Sequence, residues 1–202
     1  MGKKNKNRTS EKIKRTCKRR VRSRIELLER TVKNCRLCGL ADVRHEVAFG
    51  EGAIPADVAF VGIAPGRSED MMGRVWIGRA GKLLRKTIAL LQTEVGMFTW
   101  YGMNLVCCYP ADEISAAFRD PTEEEIGTCF PRLVEQLEIV NPNVIICLGK
   151  LPYRILKRKY PGAKPCAHPS YLLRKGGEAM KGSFYLQWYR QLEESLKEVG
   201  DE

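Results

Sequence analysis

Two hydrophobic rhythms alternate along this chain. Ile13, Cys17, Val21, Ile25, Leu28 and Val32 recur at intervals of three and four behind Ser10. That is the spacing of one helical face behind an N-cap, and it predicts a helix over about 11–33. The run DVAFVG predicts a first strand over 57–62, closed by the tight turn Ile63-Ala64-Pro65-Gly66, and a helix follows over 79–95. WYGMNLVCC predicts a second strand over 101–107, with a loop at 109–121 behind it. Thr122 followed by Glu125 has the form of a capping box and opens a helix that runs to about 140. VIICLG is apolar throughout, as a strand buried on both faces must be. A helix follows Leu151, AKPC reads as a short fourth strand, and residues 182–198 read as a last helix.

Strands alternating with helices predict an α/β fold: a three-layer α/β/α sandwich around a mainly parallel four-stranded sheet. Ligands of such sheets bind beyond the carboxyl ends of the strands. Those ends carry Ile63 to Gly66, Asn104 to Cys108, Gly149, and His168-Pro169-Ser170.

Composition adds a second feature. The chain has 202 residues and a formal net charge of +11, enough length for one domain with a full core. Residues 1–24 hold twelve Lys or Arg against the single acid Glu11, while the remainder holds 23 of each sign. The excess charge therefore belongs to an N-terminal arm, 1–24, attached to a neutral body, 25–202. Such an arm points to a polyanion, most often nucleic acid, and otherwise to a solubilising tail. The basic start has no apolar segment behind it and no run of eighteen apolar residues exists. A cytoplasmic protein without a membrane partner is expected.

Eight cysteines are many for an intracellular chain. Cys35 and Cys38 form a C-x2-C pair, which suits zinc, an iron–sulfur centre or a redox pair. Of the neighbours Cys107 and Cys108, strand alternation allows only one to face such a site, and Cys129 lies early in the capped helix. Cys147 reads as core, and Cys17 and Cys166 as structural.

These pieces, in this order, resemble the family 4 uracil-DNA glycosylases. The resemblance covers roughly residues 30–190 and rests on CRLC, FGEG, VGIAPGRSEDMMGRVWIGRAGKLL, NLVCCYP, EEEIGTCFPRLVEQL, NPNVIICLG and HPSYLLR. It implies a glycosylase that flips uracil out of single- or double-stranded DNA and hydrolyses its N-glycosidic bond, acting as a monomer. It also implies a [4Fe–4S] cluster on Cys35, Cys38, Cys108 and Cys129, with zinc as the alternative metal. Cys107 then takes the place of a usual basic residue. Twenty residues separate Cys108 from Cys129, more than in the family, which puts an insertion at 111–119.

The resemblance also assigns the base pocket. Trp76 is the stacking platform, and Asn104 reads O4 and N3–H of uracil. His168 donates to O2 of the leaving base as the catalytic residue, and Ile63, Ala64 and Pro65 line the pocket from the first turn. At position 63 the family carries a glutamate that positions the attacking water. Ile63 has no such chemistry, Ala64 looks like the family 5 turn, and Arg79 stands where family 5 has an aspartate. Three readings follow. The enzyme works by leaving-group stabilisation from His168, Asn104 and the amides of 64–66; or Glu69 or Asp70 substitutes for the missing acid; or the chain is an accessory protein that binds uracil or DNA without cutting it.

Overall fold

Successive side chains of a strand point to opposite faces of its sheet, and here each face is covered. The computed structural model describes residues 19–112, 114–176 and 182–197. Its five strands are β1 (Glu51–Gly52), β2 (Val58–Gly62), β3 (Trp100–Asn104), β4 (Val144–Leu148) and β5 (Lys164–Cys166), in the order β1-β3-β2-β4-β5. β3, β2, β4 and β5 are parallel, and β1 pairs antiparallel with β3 at the edge. Val58, Phe60, Ile146 and Leu148 pack under α4 (Arg79–Glu94), α7 (Pro169–Arg174) and α8 (Ser183–Leu196). Ala59, Val61, Ile145 and Cys147 pack under α5 (Glu123–Val140) and α6 (Lys150–Leu156). The predicted α/β sandwich is thus present, and its four parallel strands are joined by a two-residue edge strand whose pattern is too short to read.

A third apolar cluster attaches the N-terminal region. The helix described over 19–33, α1, buries Ile25 and Val32 against Leu40 of α2 (Leu40–Val43), Phe49 and Val106. The helix runs through the proposed boundary at 24, with Val21 packed against the same cluster. The beginning of the predicted helix, 11–18, and Cys17 lie outside the described residues. Cys147 and Cys166 are core, as expected.

Three details correct the sequence-based map. β3 ends at Asn104, so Leu105 to Cys108 form an irregular segment rather than the end of a strand. A six-residue helix, α3 (Arg67–Met72), stands between the first turn and α4, and α7 is a second short helix behind His168. The loop at 109–121 is a small hairpin with a bridge between Ala111 and Phe118. Among the described residues no helix is long and apolar enough to cross a membrane.

Candidate functional site

The ends of β2 and β3 meet in register, Gly62 opposite Asn104. Two main-chain bonds tie the segments beyond the strand ends: the amide of Leu105 donates to Gly62 O at 2.9 Å and that of Val106 to Ile63 O at 3.2 Å. Beyond these ends opens a cavity of about 630 Å³, the size of a small-molecule site. Ile63, Ala64, Pro65, Trp76, Asn104 and His168 all line it. The six residues singled out for the pocket are therefore brought together from four separate stretches of chain.

Trp76 belongs to the core and to the cavity wall at once, being only 5% exposed. Its indole lies against two strand glycines: a Cβ on Gly62 or Gly102 would collide with the ring. Its backbone has φ of 59°, a conformation that a bulky residue adopts only when the surroundings impose it. The surroundings do so here. Arg85 of α4 donates to the carbonyls of Val75 and Trp76 at 3.2 and 3.1 Å, and Gly81 lets α4 approach Trp76 more closely than any side chain would allow. The indole Nε1 is buried without a partner among the described residues. His168 stands beside the ring, with centroids 5.8 Å apart.

His168 is the N-cap of α7. Its Nδ1 accepts the Ser170 backbone N–H at 3.1 Å and lies 2.7 Å from Ser170 Oγ. An Nδ1 that accepts a backbone N–H has its lone pair engaged, so the proton of the neutral ring sits on Nε2. Burial, helped by the charge of Arg174, lowers the histidine pKa to about 4. His168 is thus a neutral Nε2–H donor at physiological pH.

The two acids of the first loop have separate fates. Glu69 lines the cavity, is buried, and accepts the Gly78 amide at 2.7 Å. Asp70 is turned away and clamps His45, accepting its backbone N–H at 3.0 Å and meeting its Nδ1 at 2.7 Å. Sequence spacing gives no means of separating adjacent acids on one short helix; the distinguishing partner, His45, comes from 25 positions earlier. Phe118 and Asp120 of the 109–121 hairpin also reach the cavity, as does Arg79.

A second cavity, of about 520 Å³, is lined by Cys35, Cys38, Cys107, Cys108 and Cys129, and by Leu28 and Val32 of α1. Cys107 and Cys108 both reach it because the segment carrying them is not a strand, and the alternation argument does not apply. Two guanidinium groups serve the sulfurs: Arg44 Nη1 is 3.4 Å from Cys108 Sγ, and Arg132 Nη2 is 3.5 Å from Cys129 Sγ. Interaction with Cys107, together with the charge of Arg132 beside it, holds Cys129 well below the usual thiol range. Burial pushes Cys108 up to about 11 against the pull of Arg44.

Among the described residues no three His, Cys, Asp or Glu side chains are arranged to hold a single metal ion. Arg132 supports an anionic occupant. It is 8% exposed, and among the described residues its Nε has no partner and its acceptors are neutral oxygens and the Cys129 sulfur. A buried cation needs a buried anion, and thiolates around a metal centre would provide one.

Comparison with known proteins agrees with this architecture. The family model described as the uracil DNA glycosylase superfamily matches residues 49–193. A type-4 uracil-DNA glycosylase of Thermotoga maritima is 35% identical over 174 residues, covering 78% of this chain and 87% of the relative. One from Archaeoglobus fulgidus is 40% identical over 124 residues, covering 60% of this chain and 57% of that protein, so the chain spans little more than half of its length. A type-5 uracil-DNA glycosylase of Pyrobaculum aerophilum is 31% identical over 110 residues, about half of each chain. With a sheet whose ends build one pocket and a family match across most of the chain, the protein belongs to the uracil DNA glycosylase superfamily.

Proposed function

We propose that the chain is a DNA-repair uracil-DNA glycosylase of the type-4 kind. The observation that carries this reading is the neutral His168, whose Nδ1 is occupied by its own helix cap so that Nε2–H is left as donor, in one cavity with Asn104 and Trp76. A flipped uracil enters against the Trp76 indole, and the Asn104 amide donates to O4 while accepting from N3–H. Cytosine offers the opposite pattern at both atoms and is refused. As the bond from N1 to C1′ breaks, its electron pair leaves with the base and the sugar becomes cationic. His168 Nε2–H then stabilises the uracil anion at O2. Water adds to C1′ and loses a proton, leaving an abasic site. The turn amides of Ala64 and Gly66 and the buried Glu69 carboxylate supply the remaining polarity in the pocket.

We assign Cys35, Cys38, Cys108 and Cys129 as the ligands of a [4Fe–4S] cluster, which when bound cross-links the loop after α1, the segment after β3 and α5. The protein should be brown and should bleach on reduction. Cys108→Ala should lose the colour and Cys107→Ala keep it, whereas a colourless protein carrying one zinc would refute the assignment.

One observation favours a second reading. Ile63 stands where a carboxylate would help water attack, and this suits a protein that binds uracil-containing DNA without cutting it. The deciding assay is release of free uracil from a labelled single strand and from a U:G duplex, with His168→Ala as control. Release abolished by that substitution supports the enzyme; binding without release supports the reader.

A further inference from the structure

Arg132 lines the cysteine cavity and also bonds the main chain beside Asn104, a wall residue of the first cavity. From α5 its Nη1 donates to Gln136 Oε1 at 2.6 Å. Its Nη2 reaches Asn104 O at 3.0 Å, Leu105 O at 2.8 Å and Cys129 Sγ at 3.5 Å. One nitrogen with two hydrogens thus serves three acceptors. Two of them hold the end of β3, which carries the base-reading amide; the third is a sulfur assigned above to the cluster. The acceptors compete, since more negative charge on the sulfur draws the N–H groups away from the carbonyls. Arg44 makes a contrasting contact, with Nη1 on Cys108 Sγ and Nη2 on Cys35 O at 2.7 Å. Its acceptors are a sulfur and the Cys35 carbonyl, whereas those of Arg132 include the carbonyls of Asn104 and Leu105. Four thiolates around an oxidised [4Fe–4S] core carry two negative charges, and these two guanidinium groups balance them.

We propose that Arg132 is a positioning residue that couples the sulfur centre to the base pocket: it compensates charge at Cys129 and, with the same Nη2, fixes the main chain at Asn104 and Leu105. This rests on the function proposed above. Its consequence is that the charge state of the centre is felt as the placement of Asn104.

The test uses the full-length protein, purified without oxygen, with an oligonucleotide carrying one uracil. Iron content, midpoint potential, and kcat and KM are measured for the wild type and for R132M, R132K and R44M. R132M and R44M should both shift the potential negative, since each removes a positive charge beside the centre. R132M should also lower kcat about tenfold or more with KM for DNA within about threefold, because phosphate contacts are untouched. R44M should lose much less in kcat. R132K keeps the charge but not the planar fork, so its potential should lie nearer the wild type while kcat stays low. Equal kcat losses in R132M and R44M, or an unchanged kcat in R132M, overturn the coupling. Should R132M not retain iron, R132K decides: low kcat at near-normal potential supports it, and wild-type kcat overturns it. A wild type without iron, or without uracil release, is a different failure: it removes the proposed function, and this inference with it.

Discussion

A histidine can act as an acid that titrates or as a donor that does not, and the function proposed for His168 requires the second. Its pKa of about 4 arises mainly from burial, and its N-cap bond holds the ring in one tautomer. Uracil release should therefore be flat from about pH 5.5 to 9, with no limb near the ordinary histidine value of about 6.5; a kcat/KM profile with such a limb would contradict the assignment. The folded-state pKa is depressed, so the ring's contribution to stability is fully present above the unfolded value. It is lost as pH falls through about 4, and acid unfolding should be less pronounced in His168→Ala. Ile63 offers the complementary experiment. Its Cδ1 lies beside Gly149, the N-cap of α6. A carboxylate placed there is desolvated but meets a helix N-terminus, which favours the charged form. Ile63→Glu should raise kcat about tenfold, worth about 1.4 kcal/mol of transition-state stabilisation, and Ile63→Gln should not. Equal rates in all three proteins would show that no carboxylate is missed at that position.

Among the elements, α5 does the most varied work. It opens with the predicted capping box: Glu125 N–H donates to Thr122 Oγ1 at 3.2 Å, and Thr122 N–H to Glu125 Oε2 at 2.7 Å. Arg119 adds a bidentate pair at 2.8 and 2.6 Å that holds the Glu125 carboxyl below its usual range. Thr122→Ala should cost about 1 kcal/mol, seen as a melting temperature lower by about 2–4 °C. This cap was legible because both partners are local. So were the core strands and the motifs lining the base pocket, each marked by pattern or resemblance. The end of β3 was not legible: Leu105 and Val106 are as buried as strand residues, and hydrophobicity alone cannot show where pairing stops. Nor was the role of Arg132, whose carbonyl acceptors lie 27 and 28 positions away. Contacts fixed by folding leave no spacing to read.

At the scale of the whole molecule, the excess charge and the pocket residues are separate along the sequence. Ten basic residues fall between Lys3 and Arg20, outside the neutral body. Removing residues 1–20 should weaken DNA binding mainly at low salt. If four of those charges reach phosphates, the slope of log K against log salt should flatten by about 3–4 units, with uracil preference unchanged. An unaltered slope would assign the arm to another partner. The pairing of Gly62 with Asn104 has a further consequence, for how such an enzyme can diversify. The end of the cavity that carries Asn104 is set by the sheet's own register, whereas the described residues of the 109–121 hairpin contribute Phe118 and Asp120 to its wall. Base identity and strand geometry are then separable traits. Exchanging the hairpin for a shorter one should retune the choice between single-stranded and duplex substrates while leaving the uracil–cytosine distinction in place, so that new substrate shapes are reachable by loop exchange alone.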